Sequence, residues 1–173
     1  PAETLTKVTS SDATLAGAFT SPSHKVEGHQ GAIRYMRRTL DLFSNLRPAR
    51  SRPIPKCLPG IDMLMVRENT EGLYVENERR YANGEVAIAD AVVTRRASAR
   101  IARVALEQAR RRRKRLAVIH KANVLPLTSG LFLETVMEVA KEYPDVETYD
   151  VIVDAAAMKL VREPESFDVL VST

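Results

Sequence analysis

Two hydrophobic periods alternate along the chain. Apolar runs bounded by polar clusters fall at 14–19, 61–66, 116–119, 146–153 and 167–171, and each has the length of a strand. Elsewhere apolar residues return every three or four positions. Ile33, Met36, Leu40 and Phe43 mark a helix over 31–42, and Ala97, Ile101, Val104, Ala105 and Gln108 mark a longer one over 95–113. Phe132, Val136, Val139, Ala140 and Tyr143 form the stripe of a third, with Thr128 or Ser129 placed to cap it. Short helices are predicted over 3–10 and 155–162. Strands alternating with helices in this way predict the α/β class.

The connections add detail. Residues 46–51 read as strand-like, and 52–60, with three prolines and one glycine, as a loop or domain crossing. The extended runs 75–81 and 85–94 flank Asn83-Gly84, a strong hairpin signal. A projecting hairpin arm of this kind is often used for subunit contact.

Composition narrows the function classes. With 173 residues, 45% of them hydrophobic and 28% charged, the chain is an ordinary globular sequence long enough for one or two domains. No apolar run reaches membrane-spanning length, and the first residues lack the regions of a signal peptide. A single Cys57 fits a reducing cytoplasm, and one Cys with three His cannot build the usual zinc motifs. The net charge of +4 fits nucleic acid or anionic small molecules, and the placement of the arginines decides between them. The densest run, Arg110 to Arg115, has no interleaved aromatic residues and sits where cations favour a helix end. It is expected to be a solvated helix terminus, so neither a nucleic-acid partner nor a membrane is predicted.

Candidate chemistry collects at strand ends, where α/β folds hold their ligands. After 61–66 come Arg67, Glu68, Glu71, Gly72 and Tyr74, a density of polar groups costly to build for stability alone. The bland alternative is a charged loop held by its own hydrogen bonds. After 116–119 come Lys121 and Asn123, and a lysine partly buried there suits proton transfer. After 146–153 stands Asp154, either a helix N-cap or a hard oxygen for Mg²⁺. Arg34, Arg37 and Arg38 are neighbours on one side of the first long helix. Arg34, Arg37, Arg47 and Arg67 make a set of planar forks suited to several carboxylates, or else a solvated basic face. Ser21, in the loop Thr20-Ser21-Pro22-Ser23-His24-Lys25, offers a hydroxyl.

Arg-Glu-Asn-Thr-Glu-Gly-Leu-Tyr from Arg67, His-Lys-Ala-Asn-Val from His120, and Asp154, taken with the arginine set, resemble the β-decarboxylating hydroxyacid dehydrogenases. This family comprises the isocitrate, 3-isopropylmalate and homoisocitrate dehydrogenases. The likeness covers essentially the whole chain. It is strongest to the homoisocitrate-oxidising branch through Ser21-Pro22-Ser23-His24-Lys25-Val26, Gly31-Ala32-Ile33-Arg34-Tyr35 and Lys121 to Thr128.

The resemblance implies an isopropylmalate dehydrogenase-like fold, mostly the small dimer-forming domain with a hairpin arm at about 75–94. Residues 1–50 would belong to the large, cofactor-side domain and 51–173 to the small one. It implies oxidative decarboxylation of homoisocitrate, with isocitrate accepted, using NAD and Mg²⁺ or Mn²⁺. Arg37, Arg47 and Arg67 would hold the carboxylates common to all substrates, Arg34 a distal carboxylate, and Ser21 would add a hydroxyl contact. Lys121 would help remove the hydroxyl proton and Tyr74 would protonate the enolate. Asp154 would ligate the metal, and Asn123 would lie near the nicotinamide. In the homodimers of this family, Lys121 and Asp154 would serve the partner's site. Ala155 stands where relatives often have Asn. The start at Pro1 and a strand just before Thr173 lead to the expectation of a segment truncated at both ends, lacking later metal and adenosine-binding residues and inactive alone. An NAD-dependent isocitrate dehydrogenase and a non-catalytic assembly fragment are the alternatives.

Overall fold

The computed structural model describes residues 2–20 and 31–173. It divides into two compact units, 1–42 and 43–173.

In the first unit, helix α1 spans Ala2–Thr9 and helix α2 spans Ala32–Thr39. An apolar groove of about 590 Å³ lies among α1, residues 14–19 and α2. The strand expected over 14–19 does not form: these residues are irregular and Leu15 is fully exposed. A strand needs a neighbour to satisfy its backbone, and among the described residues this unit has none. Ser21, with the loop to Lys25, lies outside the described residues.

The second unit is built on a five-stranded sheet. Strand β1 spans Ser44–Arg50, β2 Asp62–Glu68, β5 Arg115–His120, β6 Glu147–Ile152 and β7 Val169–Ser172. The strand order is β1-β2-β7-β5-β6, with β1 antiparallel to β2 and all other pairs parallel. Through β1, residues 43–50 are part of this unit, whose boundary precedes the Pro-rich loop.

The sheet is covered on both faces. Helices α3 (Arg95–Arg110) and α4 (Thr128–Ala140) pack on one face over Leu64, Val66, Leu116, Val118, Val169 and Val171. Helix α5 (Val153–Arg162) packs on the other against Ala117, Ile119, Val151 and Leu170. Strands β5 and β7 are buried along almost their whole length, as interior parallel strands with helices on both faces must be. On α3 the buried stripe is Ala97, Ile101, Ala102, Ala105, Leu106 and Ala109, whose small members let the helix lie close to the sheet. It runs through Leu106 and Ala109, not Gln108. Phe132, Val136, Val139 and Tyr143 enter the same core, as their spacing predicts.

Thr94 caps α3 by accepting from the Ala97 N–H at 3.1 Å. Neither Thr128 nor Ser129 caps α4: the cap position is Leu127, and Ser129 is used elsewhere. Strands β3 (Glu78–Tyr81) and β4 (Val86–Ala89) form the expected antiparallel hairpin around Asn83 and Gly84, both at positive φ. Every residue of the two strands is exposed.

The arginine run departs in part from expectation. Arg110, Arg111, Arg113 and Lys114 are exposed, as a solvated helix end would be, but several of its side chains are engaged. Arg112 donates to Asp168 and Asp62, and Arg113 to the carbonyls of Asp62 and Phe167. Arg110 pairs with Asp145 and Arg115 with Glu147. Apart from Glu107, three residues before Arg110, these acidic partners lie far away in sequence, so no local pattern marks them.

Candidate active site

In a parallel sheet all C-terminal strand ends emerge on one edge. Here β2, β5 and β7 open there onto a groove of about 430 Å³ whose lining includes Arg67, Tyr74, His120, Lys121 and Ser172. Residues from 67–74, 119–129 and 172–173 thus meet in one concavity.

Arg67 is directed there by the pleat. The buried Leu64, Val66 and Glu68 alternate with Met65 and Arg67 on the opposite face. Asn45 of β1 stands directly across from Arg67, and Arg47, two residues on, shares that face. Arg47 donates to the Asn45 side chain at 3.3 Å and does not line the groove. The Arg67 guanidinium sits 5.0 Å from the centre of the Tyr74 ring, within cation–π range. Arg34 and Arg37 lie on α2 in the first unit.

Glu68 and Glu71 behave as the bland reading had it. Glu68 is buried and accepts from the Thr70 N–H and Oγ1, the Glu71 N–H and Arg100. Glu71 accepts from the backbone N–H and hydroxyl of Thr94, fastening the loop to the start of α3. Arg100 also donates to Thr70 Oγ1 and stacks on Phe43. The carboxylates therefore hold the loop, with Glu71 beside Arg67 and Tyr74 at the groove.

Across the groove, Lys121 Nζ donates to Asp154 Oδ2. Asp154 lies in the first turn of α5, where the helix dipole favours an anion, while the N-cap is Ile152. Asn123 is exposed in the turn after Lys121 and does not line the groove. Sequence reasoning assigned no role to Ser129 as partner of Lys121, or to His120 and Arg100. Ser129 lies in chain proximity to Lys121, but its acceptor role appears only when the turn is folded.

Among the described residues no three His, Cys, Asp or Glu side chains converge on one point. Asp154, with its side chain 69% exposed, fits Mg²⁺ as a single hard-oxygen ligand, the number this ion commonly takes from protein while keeping waters and substrate oxygens.

The model of the family described as isocitrate/isopropylmalate dehydrogenase matches residues 1–173. The chain belongs to this family. It is 62% identical to the isocitrate/homoisocitrate dehydrogenase of Thermus thermophilus, over all of the chain and 52% of that protein. It is 46% identical to the 3-isopropylmalate dehydrogenase of Archaeoglobus fulgidus, over 51% of that protein, and 40% identical to the homoisocitrate dehydrogenase of Methanocaldococcus jannaschii, over 53%. The crystal structure of isocitrate dehydrogenase from Methylococcus capsulatus superposes with a TM-score of 0.90 at 41% identity, covering 99% of this chain and 51% of that one. The α/β architecture is thus that of an isocitrate/isopropylmalate dehydrogenase, and the chain spans about half the length of the relatives it matches. No helix among its described residues is long and apolar enough to cross a membrane.

Proposed function

We propose that the chain is a segment of an NAD- and Mg²⁺-dependent dehydrogenase that oxidatively decarboxylates homoisocitrate and also accepts isocitrate. The observation that carries this reading is that one sheet edge presents Arg67 with Tyr74 and, separately, the Lys121–Asp154 pair, the two half-sets that a second copy of the chain can complete. A guanidinium for a carboxylate, an amine for proton transfer and a phenol as acid are the groups this reaction requires.

Arg67 and Arg47 bind the malate-like carboxylates, with Arg37 as a third fork, Ser21 as a hydroxyl contact and Arg34 as reader of the distal carboxylate. Asp154 holds the metal, and Asn123 lies toward the nicotinamide. Bound NAD would supply the hydride acceptor, and Mg²⁺ held by Asp154 would supply Lewis acidity. Lys121 helps carry the hydroxyl proton away through a water molecule. The carbon–carbon bond to the β-carboxylate then breaks, CO₂ leaves, and the electron pair remains as an enolate. Tyr74 gives that enolate carbon its proton. In a homodimer Lys121 and Asp154 complete the partner's site.

The test is NAD⁺ reduction with homoisocitrate or isocitrate and Mg²⁺, by this chain and by a version lengthened to its relatives' size. Turnover of homoisocitrate by the lengthened version supports the proposal. Turnover of isocitrate alone transfers it to an isocitrate dehydrogenase, the reading favoured by the Methylococcus structure. A folded, lengthened protein that oxidises neither acid overturns both.

A further inference from the structure

We infer that His120 is a positioning residue for Lys121, an imidazole locked in one tautomer that shapes the turn carrying the lysine. The inference rests on the proton-transfer role proposed for Lys121.

His120 ends β5 with its side chain 6% exposed. The N–H of Ala122 donates to its Nδ1 at 3.1 Å. An imidazole nitrogen that accepts carries a lone pair, so the ring proton resides on Nε2. Nε2 faces Asp150 Oδ2 at 3.0 Å. Asp150 lies on the neighbouring parallel strand, opposite Val118, and so on the same sheet face as His120. The carboxylate orients the ring, and the ring holds the turn.

The rest of the turn is pinned with equal care. The Lys121 N–H donates to Ser129 Oγ at 2.6 Å, and the Lys121 carbonyl accepts from the N–H groups of Val124 and Leu125 at 3.0 and 2.8 Å. With His120 on the Ala122 N–H, the backbone on both sides of the Lys121 side chain is fixed. From that backbone Nζ reaches Asp154. An apolar residue at 120 fills the same space but offers no acceptor, and a second ring proton would set Nδ1–H against the Ala122 N–H. Either change releases the turn, and displacing a reacting group by about 1 Å costs on the order of 100-fold in rate.

The test uses the lengthened enzyme and two independent readouts. The first is the imidazole ¹⁵N–¹H spectrum with exchange of the Ala122 amide. The Nε2–H tautomer and a protected amide are expected; an Nδ1–H tautomer or a freely exchanging amide overturns the inference. The second is kinetic. His120→Leu is expected to lower kcat roughly 10-fold or more while KM stays within about 2-fold, since the lysine's role is in the chemical step. His120→Asn, whose Oδ1 stands where Nδ1 does, is expected to recover most of kcat, and His120→Gln is not. Equal kcat for the Leu and Asn variants, both folded, overturns the inference, as does an unchanged kcat in His120→Leu. If the unsubstituted enzyme oxidises none of the acids, the functional proposal fails and the tautomer and amide readouts alone decide the role of His120.

Discussion

The Nε of Arg112 donates at 2.8 Å to Oδ1 of Asp168, a carboxylate with no exposed surface. Oδ2 of Asp168 accepts the Arg113 N–H at 2.7 Å, and Arg112 reaches on to Asp62. One arginine thus ties the starts of β2 and β7 to the end of α3, at the edge of the sheet opposite the groove. Without Asp168 the Arg112 Nε and the Arg113 N–H lose their buried acceptor, while Asp62 still partners the guanidinium. Asp168→Ala is expected to lower the free energy of unfolding by about 2–3 kcal/mol. Arg111→Ala, in the same run but exposed, is expected to leave it unchanged. Urea denaturation of both variants checks the difference, and equal losses would show the run to be a generic basic surface.

Acid is expected to loosen this edge. Hydrogen bonding from Arg112 holds the Asp62 carboxyl below its usual range, and Arg110 does the same for Asp145 and Arg103 for Glu142. A carboxylate with a depressed folded pKa contributes stability that is complete above its unfolded value and lost as pH falls through the folded one. The contribution should be full above about pH 5 and decline below roughly pH 4. Denaturation midpoints from neutral to acid pH test this. A flat profile, or stability rising toward acid, contradicts it.

Glu68→Ala is expected to cost about 1–3 kcal/mol, because the buried carboxylate accepts from Thr70, Glu71 and Arg100. The substitution also frees the Thr70 and Glu71 amides, so the loop bearing Tyr74 should become the first region to exchange deuterium. Protection there equal to that of the unsubstituted protein would mean that the loop is held by other contacts.

Tyr74→Phe and Lys121→Ala are each expected to reduce turnover of the lengthened enzyme by on the order of 10²- to 10⁴-fold. If sites are shared between subunits, mixing the two variants and allowing subunits to exchange restores activity in the hybrid dimers. No recovery after verified exchange places both residues in one subunit's site.

Arg34→Val is expected to weaken kcat/KM for homoisocitrate by about 10- to 100-fold, the worth of a lost charged hydrogen bond, and to favour a substrate with an apolar substituent. Comparing homoisocitrate with 3-isopropylmalate for both proteins checks it. Unchanged selectivity would remove Arg34 from substrate reading.

Some of the site was legible before folding because strand ends are legible. The apolar runs at 61–66 and 116–119 locate β2 and β5, and whatever follows such a run stands at the ligand-binding edge of a parallel sheet. The placement of Arg67, Tyr74 and Lys121 at that edge is legible that way. The roles within each cluster were not legible in the same way. Arg67 and Glu68 are adjacent and both charged, yet the pleat sends Glu68 into the core and Arg67 to the groove.

By itself the sequence determined the α/β class, the principal helices and strands of the second unit, and the Asn83-Gly84 hairpin, because period, turn chemistry and strand length are local properties. The strand at 14–19 failed because a strand is not local: it exists only beside another. Tertiary structure alone decided the strand order β1-β2-β7-β5-β6, the recruitment of Arg112 and Arg113 from an otherwise exposed run into a clamp, and the hold of His120 on the Lys121 turn. The order and the clamp join residues far apart in the chain, and the turn needs an imidazole proton directed by a carboxylate on another strand. Such pairings follow from where the folded backbone brings groups together, which periodicity does not encode.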